Sequence, residues 1–264
     1  MPEPGRACIT ALPATGAMPE GVVLWLLALD IERPAPAQDW SVLSPAKVAH
    51  AKRLHQAADV VRSVCTRAAL RRLLGARIGM AARDVPLEAG RWGRPRLMGM
   101  PQLDFNVSHA GHHALVALAE GGLSVGVDIE CHAAAAPAVC GGPDAGNAER
   151  GTAQDALEAL VMSPREKAAP QRYGLDFLTR WTAKEAVLKC LGLGVAQHLG
   201  AISVSAPPLG DGRDCGARAL VVQLDAPLQA LPMQACALPV PAGYAAALAW
   251  TADAAGLAAL RWPA

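Results

Sequence analysis

Apolar positions along this chain recur with a period near two in some stretches and near three and a half in others. That change of period divides it into strands and helices. A continuous apolar run from Val22 to Leu29, closed by Asp30, predicts a buried strand and is too short to cross a bilayer. Ser44-Pro45 opens a helix through Lys47 to Leu54, with serine as cap and proline at the first helical position. A second helix begins near Asp59, carries Val60, Val64, Leu70, Leu73 and Leu74 at helical spacing, and ends at Gly75 or Gly79. Arg62, Arg67, Arg71 and Arg72 project from it. Between Gly90 and Pro101 glycine, proline and arginine dominate, which predicts a basic loop.

From Phe105 to Glu130 the period becomes two. Ala114 to Ala119 and Leu123 to Glu130 are strand candidates, and Glu120-Gly121-Gly122 between them predicts a tight hairpin. Cys131 to Thr152 is rich in alanine, glycine and proline without apolar periodicity, and reads as an inserted, mobile connector. Beyond it come a helix near Ala153 to Met162, a helix start at Ser163-Pro164-Arg165-Glu166, and a longer helix from about Asp176 to Leu191, stopped by Gly192 and Gly194. Ala201 to Ser205, Ala219 to Leu224 and Tyr244 to Thr251 predict short strands of an antiparallel sheet.

Composition adds limits. With 264 residues, 52% of them apolar, the chain can build one large core or two packed smaller ones without covalent staples. Its seven cysteines show neither a C-x-x-C pair nor zinc-ligand spacing, which points to reduced thiols and a cytoplasmic location. No basic segment followed by an apolar core stands within Met1 to Gly16, so no secretory leader is expected. The net charge of +1 hides a basic segment: Ser44 to Arg96 holds twelve lysines and arginines against Asp59, Asp84 and Glu88. Such a segment attracts an anion. With Trp92 its single aromatic and no recognised motif, nucleic acid is not the expected partner.

In Leu123 to Glu130 the alternation sets Val125, Val127 and Ile129 on one face and Ser124, Gly126, Asp128 and Glu130 on the other. The two carboxylates then sit side by side on α-carbons about 6.5 Å apart. They repel each other unless a hard cation such as magnesium, or manganese, lies between them. Gly126 is read as open space for a ligand on that face. On the helix from Asp176, the residues Trp181, Glu185 and Lys189 form one stripe at i, i+4 and i+8. Taken alone, that stripe reads as a surface ion pair beside a packed tryptophan. Joined to Asp128 and Glu130, Glu185 completes a three-carboxylate cation site, with Lys184 and Lys189 reaching phosphate oxygens. In Phe105-Asn106-Val107-Ser108-His109, Asn106 and Ser108 are placed to orient a ligand and His109 to hold a phosphate or carry a proton. His112 and His113 read as structural or exposed.

In sequence order these motifs resemble the Sfp-type 4'-phosphopantetheinyl transferases, which activate acyl and peptidyl carrier proteins. Four segments carry the resemblance: Arg91-Trp92-Gly93-Arg94-Pro95, similar to the family's G-K-P loop; Phe105 to His109, similar to F-N-x-S-H; Gly126-Val127-Asp128-Ile129-Glu130, similar to G-[IV]-D-[IL]-E; and Trp181-Thr182-Ala183-Lys184-Glu185 through Lys189, similar to W-[ST]-x-K-E-x-x-x-K. Arg62 and Arg67 to Arg71 look like its arginine-bearing helix. The departures are Arg94 for a lysine, Ala110 where a serine is common, and the long alanine-rich connector.

The resemblance implies an α+β fold of two similar α/β halves related by pseudo-twofold symmetry. Residues 1–122 would form one half and 123–264 the other, which carries the metal site and the connector at about 131–152. A monomeric pseudo-dimer would hold coenzyme A in its cleft. Residue by residue, it implies that Asp128, Glu130 and Glu185 bind magnesium against the pyrophosphate, that His109 and Lys189 contact phosphates, and that Arg62 holds the 3'-phosphate. Arg94, Pro95, Ser108 and Lys184 would complete the coenzyme A contacts. Glu185, directly or through a metal-bound water, would deprotonate the carrier serine, with Lys189 and His109 as its catalytic partners. The products would be holo carrier protein and adenosine 3',5'-bisphosphate, with no nucleic acid or membrane involved. A silent module that binds coenzyme A or a carrier protein is the alternative, and the intact carboxylate triad argues against it.

Overall fold

The apolar run at Val22 forms a strand in the interior of the first of the two larger sheets. The computed structural model describes residues 7–90, 94–132, 158–169, 174–194, 198–207, 216–228 and 232–252. In chain order the first sheet's strands are β1 (Cys8–Ala11), β2 (Val22–Ala28), β5 (Asp104–Ala110) and β6 (His113–Ala119), arranged antiparallel as β1-β2-β6-β5. The short helices α1 (Ala37–Trp40) and α2 (Pro45–Ala51) lead into α3 (Ala57–Ile78), and Ser44 caps α2 as expected. Gly79, at φ 72°, ends α3 in the left-handed conformation that glycine adopts without penalty.

The second sheet runs β7 (Ser124–Cys131), β11 (Tyr244–Thr251), β10 (Gln234–Ala237), β9 (Arg218–Leu224), β8 (Ile202–Ser205). It carries α4 (Pro164–Ala168) and α5 (Phe177–Leu191). Strand alternation explains the layering. Leu27, Val116 and Leu118 pack against Leu70 and Leu74 of α3. Leu24, Leu115 and Ala117, on the opposite face, meet Val125, Val127, Ile129 and Leu248 of the second sheet. Ala247 and Ala249, on the far face of that sheet, pack under Val187 and Leu188 of α5. The layers are therefore α3, sheet, sheet, α5, an α+β architecture as the resemblance implied. Among the described residues no helix is long and apolar enough to cross a membrane.

Two expectations are corrected. Glu120-Gly121-Gly122 does not close a hairpin, because both edges of β6 are already taken by β2 and β5. The chain instead crosses to the second sheet, with Gly121 and Gly122 at φ 69° and 80°. The tight hairpin lies one strand earlier, where Ala110 pairs with His113 around Gly111-His112. The stretch expected as a loop from Gly90 contains β4 (Pro95–Leu97), paired with β3 (Leu87–Ala89). The connector expected at 131–152 lies outside the described residues apart from Cys131, which ends β7, and His132. Of the helix expected near Ala153, residues 158–161 are helical and described.

Candidate active site

Three polar side chains at alternate positions of β5 hold β7 in register. Asp104 Oδ2 accepts from the Val125 amide at 2.9 Å, Asn106 Oδ1 accepts from the Val127 amide at 3.0 Å, and Ser108 Oγ donates to Asp128 Oδ1 at 2.7 Å. Side chains thus substitute for a backbone ladder between the two sheets. Asn106, expected to orient a ligand, is instead spent on β7, whereas Ser108 stands at the acidic cluster.

Helix α5 closes the other side of that cluster. A Cβ on Gly126 would lie 2.0 Å from the Ala186 carbonyl oxygen and 2.3 Å from the Cys190 nitrogen. The glycine therefore gives α5 a seat on β7, and its face is not open to a ligand as the sequence suggested. This close approach brings Asp128, Glu130 and Glu185 together, each with a carboxylate oxygen within 4.8 Å of the others'. Lys189 pairs with Asp128, reaches Ser108 Oγ at 3.1 Å and lies 3.7 Å from Glu185.

The electrostatics are those of a cation site. Desolvation, then the charge of Asp128, pushes Glu185 up to about 8. Glu130 rises to about 7 for the same two reasons, partly offset by Lys189 and by a hydrogen bond from Trp181. Asp128 is also raised by desolvation, against the pull of Lys189. Desolvation would lower the Lys189 pKa, but Asp128 and Glu185 outweigh it and the ammonium is stabilised. One ammonium serves three carboxylates, and Asp128 Oδ2 is buried without a hydrogen-bond partner. Crowded oxygen donors and an orphaned carboxylate oxygen suit a hard divalent cation.

A prediction arises from these shifts. Carboxylates whose pKa values are raised keep protons in the folded state that the unfolded chain releases. Their contribution is therefore most favourable below about pH 4.5 and is lost as pH rises through 7 to 8. Magnesium should restore it. The melting temperature with magnesium, minus that with chelator, should be near zero at pH 5 and grow towards pH 8.5. At a hundred times Kd it should reach roughly 5–10 °C, the equivalent of about 2.7 kcal/mol. Thermal melts across that range check it, and a pH-independent difference would contradict it.

The remaining expected residues divide. His109 reaches solvent at the edge of the cluster, and desolvation, then Arg62 and Lys189, holds its pKa below the ordinary histidine value. Arg62 is close by, donating to the Gly111 carbonyl at 3.1 Å and pairing with Asp59 at 2.7 Å. Lys184 is not brought to the cluster. It is fully buried on another side of α5, where its Nζ donates to the Val161 carbonyl and to Glu166 Oε2, both at 2.6 Å. Arg94 is likewise turned inward. Its guanidinium donates to the carbonyls of Lys189, Cys190 and Val125 and to Asp104 Oδ2, capping the end of α5. Pro95 opens β4 beside it, and Arg91 to Gly93 lie outside the described residues. Sequence reading missed Tyr244, whose hydroxyl accepts from the His112 amide at 3.0 Å and whose ring packs edge-on against His113. It also missed Asp104, although the polar alternation at 104, 106 and 108 was a usable signal.

Comparison with known proteins agrees with this geometry. A model of the 4'-phosphopantetheinyl transferase superfamily matches residues 124–216, and a model of the 4'-phosphopantetheinyl transferase N-terminal region matches residues 36–121. A Synechocystis protein named "Putative 4'-phosphopantetheinyl transferase" is 29% identical over 178 residues, 67% of each chain. The chain belongs to the 4'-phosphopantetheinyl transferase superfamily, transferases that place phosphopantetheine on carrier proteins.

Proposed function

We propose that this protein moves the 4'-phosphopantetheine group from coenzyme A to a serine of an apo acyl or peptidyl carrier protein. Magnesium, or manganese, would be held by Asp128, Glu130 and Glu185. The observation that carries this reading is the convergence of those three carboxylates within 4.8 Å, with Lys189 beside them. A divalent cation held there would supply positive charge against the pyrophosphate. The protein's own groups supply the rest. Lys189 offers its ammonium to phosphate oxygens, and Ser108 fixes Asp128. On the β5–β6 side Arg62 gives the nucleotide phosphates a cationic border, and His109, with its lowered pKa, offers them a neutral imidazole N–H. Glu185 takes the proton of the carrier serine. The serine oxygen bonds to the β-phosphorus of coenzyme A, the bond from that phosphorus to the bridging oxygen breaks, and adenosine 3',5'-bisphosphate leaves with the electron pair. The reading places the protein in the cytoplasm as a monomer, a setting that its unpatterned cysteines favour.

Chromatography of a reaction with an apo carrier protein tests it. Adenosine 3',5'-bisphosphate should appear in step with carrier modification, and coenzyme A bound without such release would leave a binding module. Arg62→Ala should raise the KM for coenzyme A about tenfold while kcat is largely kept, as steady-state kinetics would show. An unchanged KM would assign the arginine to its contacts with Asp59 and Gly111 alone.

A further inference from the structure

Lys184 is adjacent to Glu185 in sequence, yet it points into a separate, buried polar network. Glu166, itself fully buried, is the centre of that network. Its Oε2 accepts from Lys184 Nζ at 2.6 Å and from the Ser163 amide at 2.8 Å, and its Oε1 accepts from the Val204 amide at 2.9 Å. Arg180, one turn before Lys184, brings its guanidinium to 3.6 Å from the same carboxylate and donates to the Leu175 carbonyl at 3.1 Å. Lys184 also donates to the carbonyls of Val161 at 2.6 Å and Leu199 at 3.3 Å. One lysine thus ties α5 to the start of α4 and to the turn before β8.

Helix α5 needs such a tie. Its buried positions, among them Leu178, Ala183, Ala186, Val187 and Leu188, lie on several sides, so apolar packing alone specifies its rotation weakly. Consecutive helical residues differ by about 100° of rotation. Turned by one residue in one sense, the helix would aim Lys184 at β7 and leave Ala183 facing Glu166; turned in the other, it would bring Glu185 against Glu166, two carboxylates in a buried interior. We propose that Lys184 is a positioning residue: its buried pairing with Glu166 sets the rotation of α5 and so places Glu185 and Lys189 against Asp128 and Glu130. Setting the register of packed elements is the best-attested use of a buried ion pair. The inference rests on the cation-site reading of the three carboxylates.

The test is a double-substitution cycle, Lys184→Met and Glu166→Gln singly and together, read by titration with Mn2+ alone. Glutamine can still complete the capping box at Ser163, so Glu166→Gln remains informative if Lys184→Met does not fold. Each single substitution should weaken Mn2+ binding by about ten- to a hundredfold. The double variant should be no weaker than the worse single, because the same contact is lost in all three. A purely structural role would lower the melting temperature and leave the Mn2+ affinity of the folded protein unchanged, which overturns the proposal. So does a silent Glu166→Gln beside a Lys184→Met variant that changes only the KM for coenzyme A, because that result returns Lys184 to the phosphates. If the unsubstituted protein binds no Mn2+, the cation reading fails by itself. Hydrogen exchange then decides the register: both substitutions must speed exchange in α5 while β7 keeps its protection, and unchanged α5 exchange overturns it.

Discussion

Asp128→Asn is expected to leave the fold in place and to lower phosphopantetheine transfer by at least about 10²–10³-fold, with Glu185→Gln behaving alike. The asparagine keeps the side chain's shape and its contact with Ser108. What goes is one negative charge from a cluster in which three carboxylates face a single ammonium. Any cation held there loses the charge of one ligand, and Lys189 is left with less to oppose its charge. The loss should fall on kcat as well as on kcat/KM, because the cluster acts on charge that shifts during transfer. Steady-state kinetics, with circular dichroism as the control for folding, measure it. Full turnover by the folded Asp128→Asn protein would remove the cation site from the account.

Gly126→Ala should cost about 3 kcal/mol of stability or more, a drop of roughly 6–12 °C in melting temperature. The new methyl would meet the Ala186 carbonyl at 2.0 Å and the Cys190 amide nitrogen at 2.3 Å. Both are backbone atoms of a helix packed on its other sides, so neither has a rotamer through which to yield. The helix must lift from β7, which also separates Glu185 from Asp128 and Glu130. Denaturant unfolding and Mn2+ titration of one sample should therefore show both losses together. A variant with wild-type stability would mean that α5 sits further from β7 than the structure places it.

The carboxylate cluster of this protein was more legible in its sequence than the packing that supports it. Asp128 and Glu130 could be set on one strand face because a strand repeats every two residues, and Glu185 and Lys189 on one stripe because a helix brings i and i+4 together. Those rules are local, and the structure joins the two sets as one cluster. Gly126, Lys184 and Arg94 follow no local rule. Whether a glycine in a strand is open space or a helix seat depends on a segment sixty residues away. The sequence reading of Lys184 rested on its neighbour Glu185, but α5 is enclosed on several sides, so no exposed stripe separates a ligand-facing lysine from an interior one. Arg94 has the charge of a phosphate contact, yet the carbonyls of Lys189 and Cys190 at the helix end accept from it. The missed crossover at Gly121-Gly122 has a similar cause: two glycines permit a reversal, and only the occupancy of both β6 edges decides against a hairpin.

The most direct test of the central claim is the intact mass of an apo acyl or peptidyl carrier protein after incubation with this protein, coenzyme A and magnesium, beside a sample containing chelator. The account predicts a gain of one phosphopantetheine group, lost with chelator and restored by excess magnesium. A carrier whose mass does not change across several carrier types, while coenzyme A is bound, would contradict it.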